Sequence, residues 1–172
     1  VYKNALLIAK SESCDTLVVQ LGALLHDIAD SKFHGGDETI GPRTARNFLE
    51  SQHVAEEVIV HVVQIIENIP FKGGKTKRKF SSIELDIVQD ADRLDAIGAI
   101  GIARAFNYGG FKNRALYNPK VAPNLKMTKE EYKNSQAPTI NHFYEKLLLL
   151  ADKMNTKTGA AIAIKRHRYM EN

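Results

Sequence analysis

Apolar side chains recur along this chain at helical spacing, and no segment alternates apolar with polar residues in the way a half-buried strand requires. That pattern restricts the chain to an all-α fold. Leu17, Val18, Leu21, Leu24, Leu25 and Ile28 place Thr16 to Ala29 in a buried helix capped by Asp15 or Thr16. Asp30 to Glu38, with Gly35 and Gly36, reads as a loop. Thr39 or Gly41 to Ser51 reads as a helix with Pro42 in its first turn, and Ala55 to Ile69 as a longer one stopped by Pro70. The connection between them is so short that the two should form a tight pair. Helical spacing resumes at Ser81 or Ser82 and runs to about Phe106 through a bend near Gly98 and Gly101. Tyr108 to Tyr132 lacks clean periodicity and reads as a long loop, followed by helices over Thr139 to Lys153 and Thr156 to Met170. Tyr2, Leu6 and Ala9 keep helical spacing with no capping residue ahead of them, so residue 1 reads as the middle of a helix. The expected architecture is a bundle of about seven or eight helices.

With 172 residues, 44% of them hydrophobic and 26% charged, the chain has the make-up of one compact domain spanning residues 1–172. Its formal charge of +4 is a mild bias toward anionic ligands, because acids and bases are interspersed. The densest basic cluster, Lys75, Lys77, Arg78 and Lys79, sits in a glycine-containing loop with no aromatic ladder, which argues against a nucleic-acid binder. Cys14 is the single cysteine, so no internal disulfide forms, and a reducing, cytoplasmic setting is expected. Apolar runs such as Leu147 to Ala151 fall far short of the roughly 18 residues needed to cross a bilayer.

The chemistry concentrates in two places. The first is LLHDIAD, residues 24 to 30, where His26 and Asp27 end an apolar helix face and Asp30 lies four and three residues further on. Imidazole and carboxylate can flank one ion at a helix surface, and a third carboxylate beside them can orient or deprotonate a water. A core histidine with two capping aspartates would explain the same letters, but the dipole opposes aspartates at a helix C-terminus and the apolar flanks make an unpaired pair costly. The second place is VQDADRLDA, where Asp86, Asp90, Asp92 and Asp95 share a helix with Ile87, Val88, Ala91, Leu94 and Ile97. At least one of these carboxylates should point inward; helical geometry alone does not choose among them.

LLHDIAD and DADRLDAIGAIGIARAF together resemble the HD-domain metal-dependent phosphohydrolases, in particular bacterial general HD-superfamily hydrolases, some of them similar to nucleoside triphosphate pyrophosphohydrolases. The resemblance implies an HD-domain helical bundle and a divalent metal, Mg, Mn or another transition metal, held by His26, Asp27 and Asp92. It further implies attack of a metal-activated water on a phosphate ester or anhydride of a small molecule, a nucleotide above all. Asp30 takes the position of the carboxylate that helps activate the water, and Lys32, with His34 after it, would meet phosphate oxygens. His61, mid-helix beside Val58, Ile65 and Asn68, reads first as a boundary histidine and otherwise as a residue on the substrate or a second metal. Arg93 would steady a phosphate or pair with Asp90. Lys112 belongs to YGGFKNRALYN, whose glycines, aromatics and bases suit a substrate lid or a loop packed on the core. The family's first His should precede the His-Asp pair, and residues 1–25 hold none; VYKNALLIAK is similar to the segment that follows it, which places that ligand and the start of the first helix upstream of Val1. The rival readings are a non-catalytic nucleotide-binding or regulatory HD module and a cyclic-nucleotide phosphodiesterase.

Overall fold

The structure is a computed structural model that describes residues 1–29, 34–69, 80–128, 131 and 134–172. The described residues form α1 (Tyr2–Ala9), α2 (Thr16–Leu25), α3 (Ile40–Ser51), α4 (Glu56–Asn68), α5 (Ile83–Asp95), α6 (Ala99–Phe111), α7 (Thr139–Glu145) and α8 (Lys157–Glu171), with 3-10 turns at Leu147–Leu149 and Ala151–Lys153. No strand occurs among them, and the fold is all-α as the periodicity requires. None of these helices is long and apolar enough to cross a membrane. The chain divides into two compact units, Val1–Asp92 and Arg93–Asn172.

In the first unit, Asp15 caps α2: its Oδ1 accepts from the Leu17 and Val18 amides at 2.9 and 3.2 Å. The Asp15 amide in turn donates to Glu84 Oε1 at 2.9 Å, tying the start of α2 to the start of α5. Val18, Val19 and Ala23 on α2, Ile59, Val62 and Ile65 on α4, and Leu85, Val88 and Ala91 on α5 are all buried. Gly22 permits the closeness of these helices, because a Cβ there would stand 3.3 Å from Val88 Cγ2 and 3.4 Å from Ile65 Cγ2. Helices α3 and α4 form the expected tight pair, joined through His53 in a left-handed conformation at φ 56°.

Helix α2 stops at Leu25, short of Ala29. The Ile28 amide reaches back three residues to the Leu25 carbonyl at 3.0 Å, the tighter closure that ends many helices. The continuous helix expected from Ser81 to Phe106 is likewise divided. Gly98, at φ 82° and ψ −165°, adopts a backbone conformation open almost only to glycine, and α6 begins immediately after it.

In the second unit, the carbonyls at the end of α5 are met by arginines. Arg166 donates to the Leu94 carbonyl, while Arg104 donates to the Asp95 carbonyl and pairs with the Asp95 carboxylate. Helix α6 runs to Phe111 and so takes Tyr108 to Phe111 out of the expected loop. Gly109 is buried against Thr139, whose Oγ1 occupies the place a Cβ would need, so this contact between helices requires glycine there. The helix expected over Thr139 to Lys153 ends at Glu145 and passes into 3-10 turns. Residues three apart share a face in that geometry, which buries Leu147 and Leu150 together and leaves Leu149 outside. Thr156 caps α8 by accepting from the Gly159 amide at 3.0 Å.

His142 on α7 is held in its neutral form, its pKa lowered to about 4 by burial first and then by the charges of Lys146 and Arg114. Between about pH 6.5 and 4 the unfolded chain therefore binds a proton that the folded chain refuses. The stability that His142 contributes is complete above about pH 6.5 and falls as the pH drops toward 4, by roughly 3 kcal/mol in all. Urea unfolding across this range should show that loss, and His142→Gln should flatten it.

Candidate functional site

His26 follows the last residue of α2 and keeps a helical conformation, φ −56° and ψ −31°. Its side chain is only 10% exposed. Nδ1 lies 3.0 Å from the Ala23 carbonyl, and since a carbonyl only accepts, Nδ1 carries a proton and donates it there. That bond fixes the ring and leaves Nε2 facing Asp27 Oδ2 at 3.3 Å and Asp92 Oδ1 at 3.7 Å. Burial opposes a charged imidazole, but the hydrogen bond and charge of Asp27, the charge of Asp92 and the Ala23 carbonyl outweigh it, and the pKa of His26 stands above its ordinary value.

Asp92 reaches His26 because α2 and α5 run side by side in the same direction. Gly22 meets Val88, and one turn further along each helix His26 meets Asp92. Among the four aspartates of that segment, Asp90 is fully buried, whereas the side chains of Asp92 and Asp27 are 46% and 71% exposed.

The donor set suits a divalent ion. A histidine whose second nitrogen is tied to a backbone carbonyl is the usual arrangement of a metal-binding imidazole, and two carboxylates beside it supply hard oxygen ligands. Two ligand atoms about 2.1 Å from one ion stand about 3.0 to 3.6 Å apart at angles of about 90 to 120°; of the two separations at Nε2, 3.3 Å lies within that span and 3.7 Å just beyond it. Among the described residues no three or more His, Cys, Asp or Glu side chains are drawn into a finished metal cluster. His26 with a carboxylate on either side is the arrangement present.

The remaining candidates lie elsewhere. Asp30 and Lys32 fall outside the described residues, as do Lys75, Lys77, Arg78 and Lys79. His34 is exposed in a turn closed by the Asp37 amide on the His34 carbonyl at 3.1 Å. His61, on α4, is engaged by residues at and just before the start of α5: Nε2 is 2.9 Å from Ser82 Oγ and 3.4 Å from Glu84 Oε2, and Phe80 packs edge-on against the ring. Asp92 is eight residues beyond Glu84, about 12 Å along the helix axis. In the second unit, Arg93 donates to the Lys153 carbonyl, and Lys112 lies over the rings of Tyr108 and Phe111. A cleft of about 600 Å³ between α3 and α4, lined by Arg43, Gln64, Asn68 and Phe80 among others, contains none of His26, Asp27 or Asp92. Sequence reasoning overlooked the Ala23 carbonyl; a His three residues after a buried helical position is the signal that such a bond was within reach.

His26 between Asp27 and Asp92 is the grouping that the resemblance to HD-domain proteins implies. The pattern of the HD domain family matches residues 1–97, and the chain belongs to that family. It is similar to the uncharacterized protein YpgQ of Bacillus subtilis (strain 168), with 36% identity over 174 residues that cover 96% of this chain and 73% of that protein. A crystal structure of an HD-superfamily hydrolase from Bacillus thuringiensis superposes with a TM-score of 0.75 at 42% identity, covering 99% of this chain and 76% of the other. The crystal structure of Bacillus subtilis YpgQ in complex with ADP superposes with the same TM-score, 0.75, at 34% identity, covering 99% and 79%.

Two variants test this geometry. Gly22→Val should cost about 1 to 3 kcal/mol of unfolding free energy by overpacking against Val88 and Ile65, and should weaken divalent-ion binding measured by calorimetry although no ligand is touched. His61→Ala should cost about 1 to 2 kcal/mol through the loss of its Ser82 and Glu84 contacts, and should leave ion binding as it was.

Proposed function

We propose that this chain is a metal-dependent phosphohydrolase acting on a nucleotide or a related phosphate ester or anhydride. The observation that carries the reading is His26, with Nδ1 committed to the Ala23 carbonyl and Nε2 facing Asp27 and Asp92. Membership of the HD domain family supports it, and ADP in the similar YpgQ supports a nucleotide as the ligand class. In this reading His26, Asp27 and Asp92 hold the ion, which supplies Lewis acidity to the phosphoryl group and to the attacking water. Water adds to phosphorus, the bond from phosphorus to the leaving oxygen breaks, and the proton released by the water passes to the Asp30 carboxylate. Lys32 offers a cation to the phosphate oxygens, and His34 a hydrogen-bond donor.

The test is a metal analysis of the protein, followed by a nucleotide panel in which orthophosphate and pyrophosphate are read separately. Release of either product should require the ion. His26→Ala and Asp92→Asn should lose both ion and turnover. Asp30→Asn should keep the ion and lower turnover roughly 100-fold or more. Nucleotide binding without hydrolysis by the metal-loaded protein would make the chain a regulatory HD module instead.

A further inference from the structure

The end of α6 presents two aromatic rings to solvent on a hydrogen-bonded backbone. Phe111 is 79% and Tyr108 50% exposed, with ring centres 6.3 Å apart at an interplanar angle of 36°. Burying a ring is worth a few kcal/mol, so a chain that leaves two side by side in water forgoes that stabilisation. The backbone beneath them is not loose. Asn113 adopts the left-handed conformation, φ 52°, that closes a helix; its amide donates to the Gly110 carbonyl at 3.0 Å, and the Arg114 amide donates to the Gly109 carbonyl at 2.9 Å. The next residues are pinned as well, the Thr139 and Ile140 amides donating to the Ala115 and Leu116 carbonyls at 2.9 and 3.0 Å. Gly109, buried against Thr139, holds the helix to α7 from below.

Two cations lie on these rings. Lys112 Nζ is 5.5 Å from the centre of Phe111 and 5.8 Å from that of Tyr108, and the Arg114 guanidinium is 5.8 Å from Tyr108 while one of its nitrogens donates to the Ser135 carbonyl at 2.6 Å. The stretch from Ala96 to Thr128 contains no aspartate or glutamate, although Arg104, Lys112, Arg114, Lys120 and Lys126 fall within it. Exposed rings beside cations on a preformed support complement a ligand that is flat and apolar at one end and anionic at the other.

We infer that Tyr108, Phe111, Lys112 and Arg114 form a recognition element for a nucleotide, the rings stacking on the base and the two cations meeting phosphate oxygens. The choice of ligand rests on the nucleotide reading above; the element itself rests on the geometry of α6. Stacking on an exposed ring tolerates any base, whereas the cations require a phosphate.

Binding to the full-length protein by calorimetry, with ADP, adenosine and inorganic pyrophosphate as probes, tests this. Phe111→Ala should weaken ADP about tenfold, in line with the loss of one stacked base, and several times more than it weakens pyrophosphate. Phe111→Trp should restore ADP binding. Lys112→Ala should weaken ADP and pyrophosphate together and leave adenosine as it was. Failure of the unaltered protein to bind ADP, equal ADP affinity with and without the Phe111 ring, or equal losses for ADP and pyrophosphate in Phe111→Ala would each overturn the inference. Its fate is separable from that of the hydrolase reading: ring-dependent ADP binding in a protein that hydrolyses nothing upholds the element and removes the enzyme, while ring-independent binding with metal-dependent turnover does the reverse.

Discussion

The absence of a side chain at position 22 is the constraint on which the candidate site depends. With Gly22 facing Val88 and Ile65, α2 can lie close beside α5, and one turn further along each helix the His26 ring meets the Asp92 carboxylate. The two ends of that contact are made by residues far apart in sequence, so no local preference could bring them together. The packing does so because both helices bury apolar faces on the same core, Val18, Val19 and Ala23 on one and Leu85, Val88 and Ala91 on the other. Asp15 sets the register at the opposite end, its side chain capping α2 while its amide donates to Glu84. A slip of one residue between the helices would turn Asp92 about 100° away from His26.

The site's electrostatics follow from this placement. Two carboxylates converge on one imidazole, and the imidazole answers by holding its proton more tightly than usual. Two carboxylates so placed favour positive charge between them. In the proposed site, His26, Asp27 and Asp92 would hold the ion, and its binding would favour the imidazole without a proton on Nε2, the ordinary coupling between ligand deprotonation and metal binding. Because Nδ1 is already committed to the Ala23 carbonyl, the ring need not turn when the exchange occurs.

Much of the fold was legible in the spacing of apolar residues, because burial of one helical face is a local signal. Thr16 as the start of α2, the tight α3 and α4 pair and the last helix can all be read from periodicity and caps, whereas at Gly98 the glycines suggested only a bend in one helix and the structure has two. What escaped was set by tertiary contact. The glycines at 109 and 110 look like a loop in isolation, yet both are helical, and Thr139 on another helix fills the space a Cβ at 109 would need. The leucines from 147 to 150 look like a helix, yet a tighter turn buries Leu147 and Leu150 together. In the candidate site, the His26 and Asp27 pair was legible as a motif, but the choice of Asp92 over Asp90 came from the family pattern, since helical geometry left both open. The structure separates them by environment, Asp90 fully buried and Asp92 half-exposed beside His26. The sequence could not reveal that His61 is occupied by Ser82 and Glu84, because those partners lie on another helix.

Charge is distributed along the chain in a way that bears on how an anionic substrate can be handled at all. A phosphate approaching His26 meets Asp27 and Asp92, and two carboxylates within a few ångströms repel it unless a cation already lies between them. In the proposed reaction an ion would therefore have to arrive before the phosphate or together with it. The stretch from Ala96 to Thr128 holds five basic residues and no aspartate or glutamate, although Arg104 pairs with Asp95 just before it. The carboxylates beside His26 and the bases between Ala96 and Thr128 thus lie in different segments of the chain, so these charges of opposite sign are not interleaved in sequence.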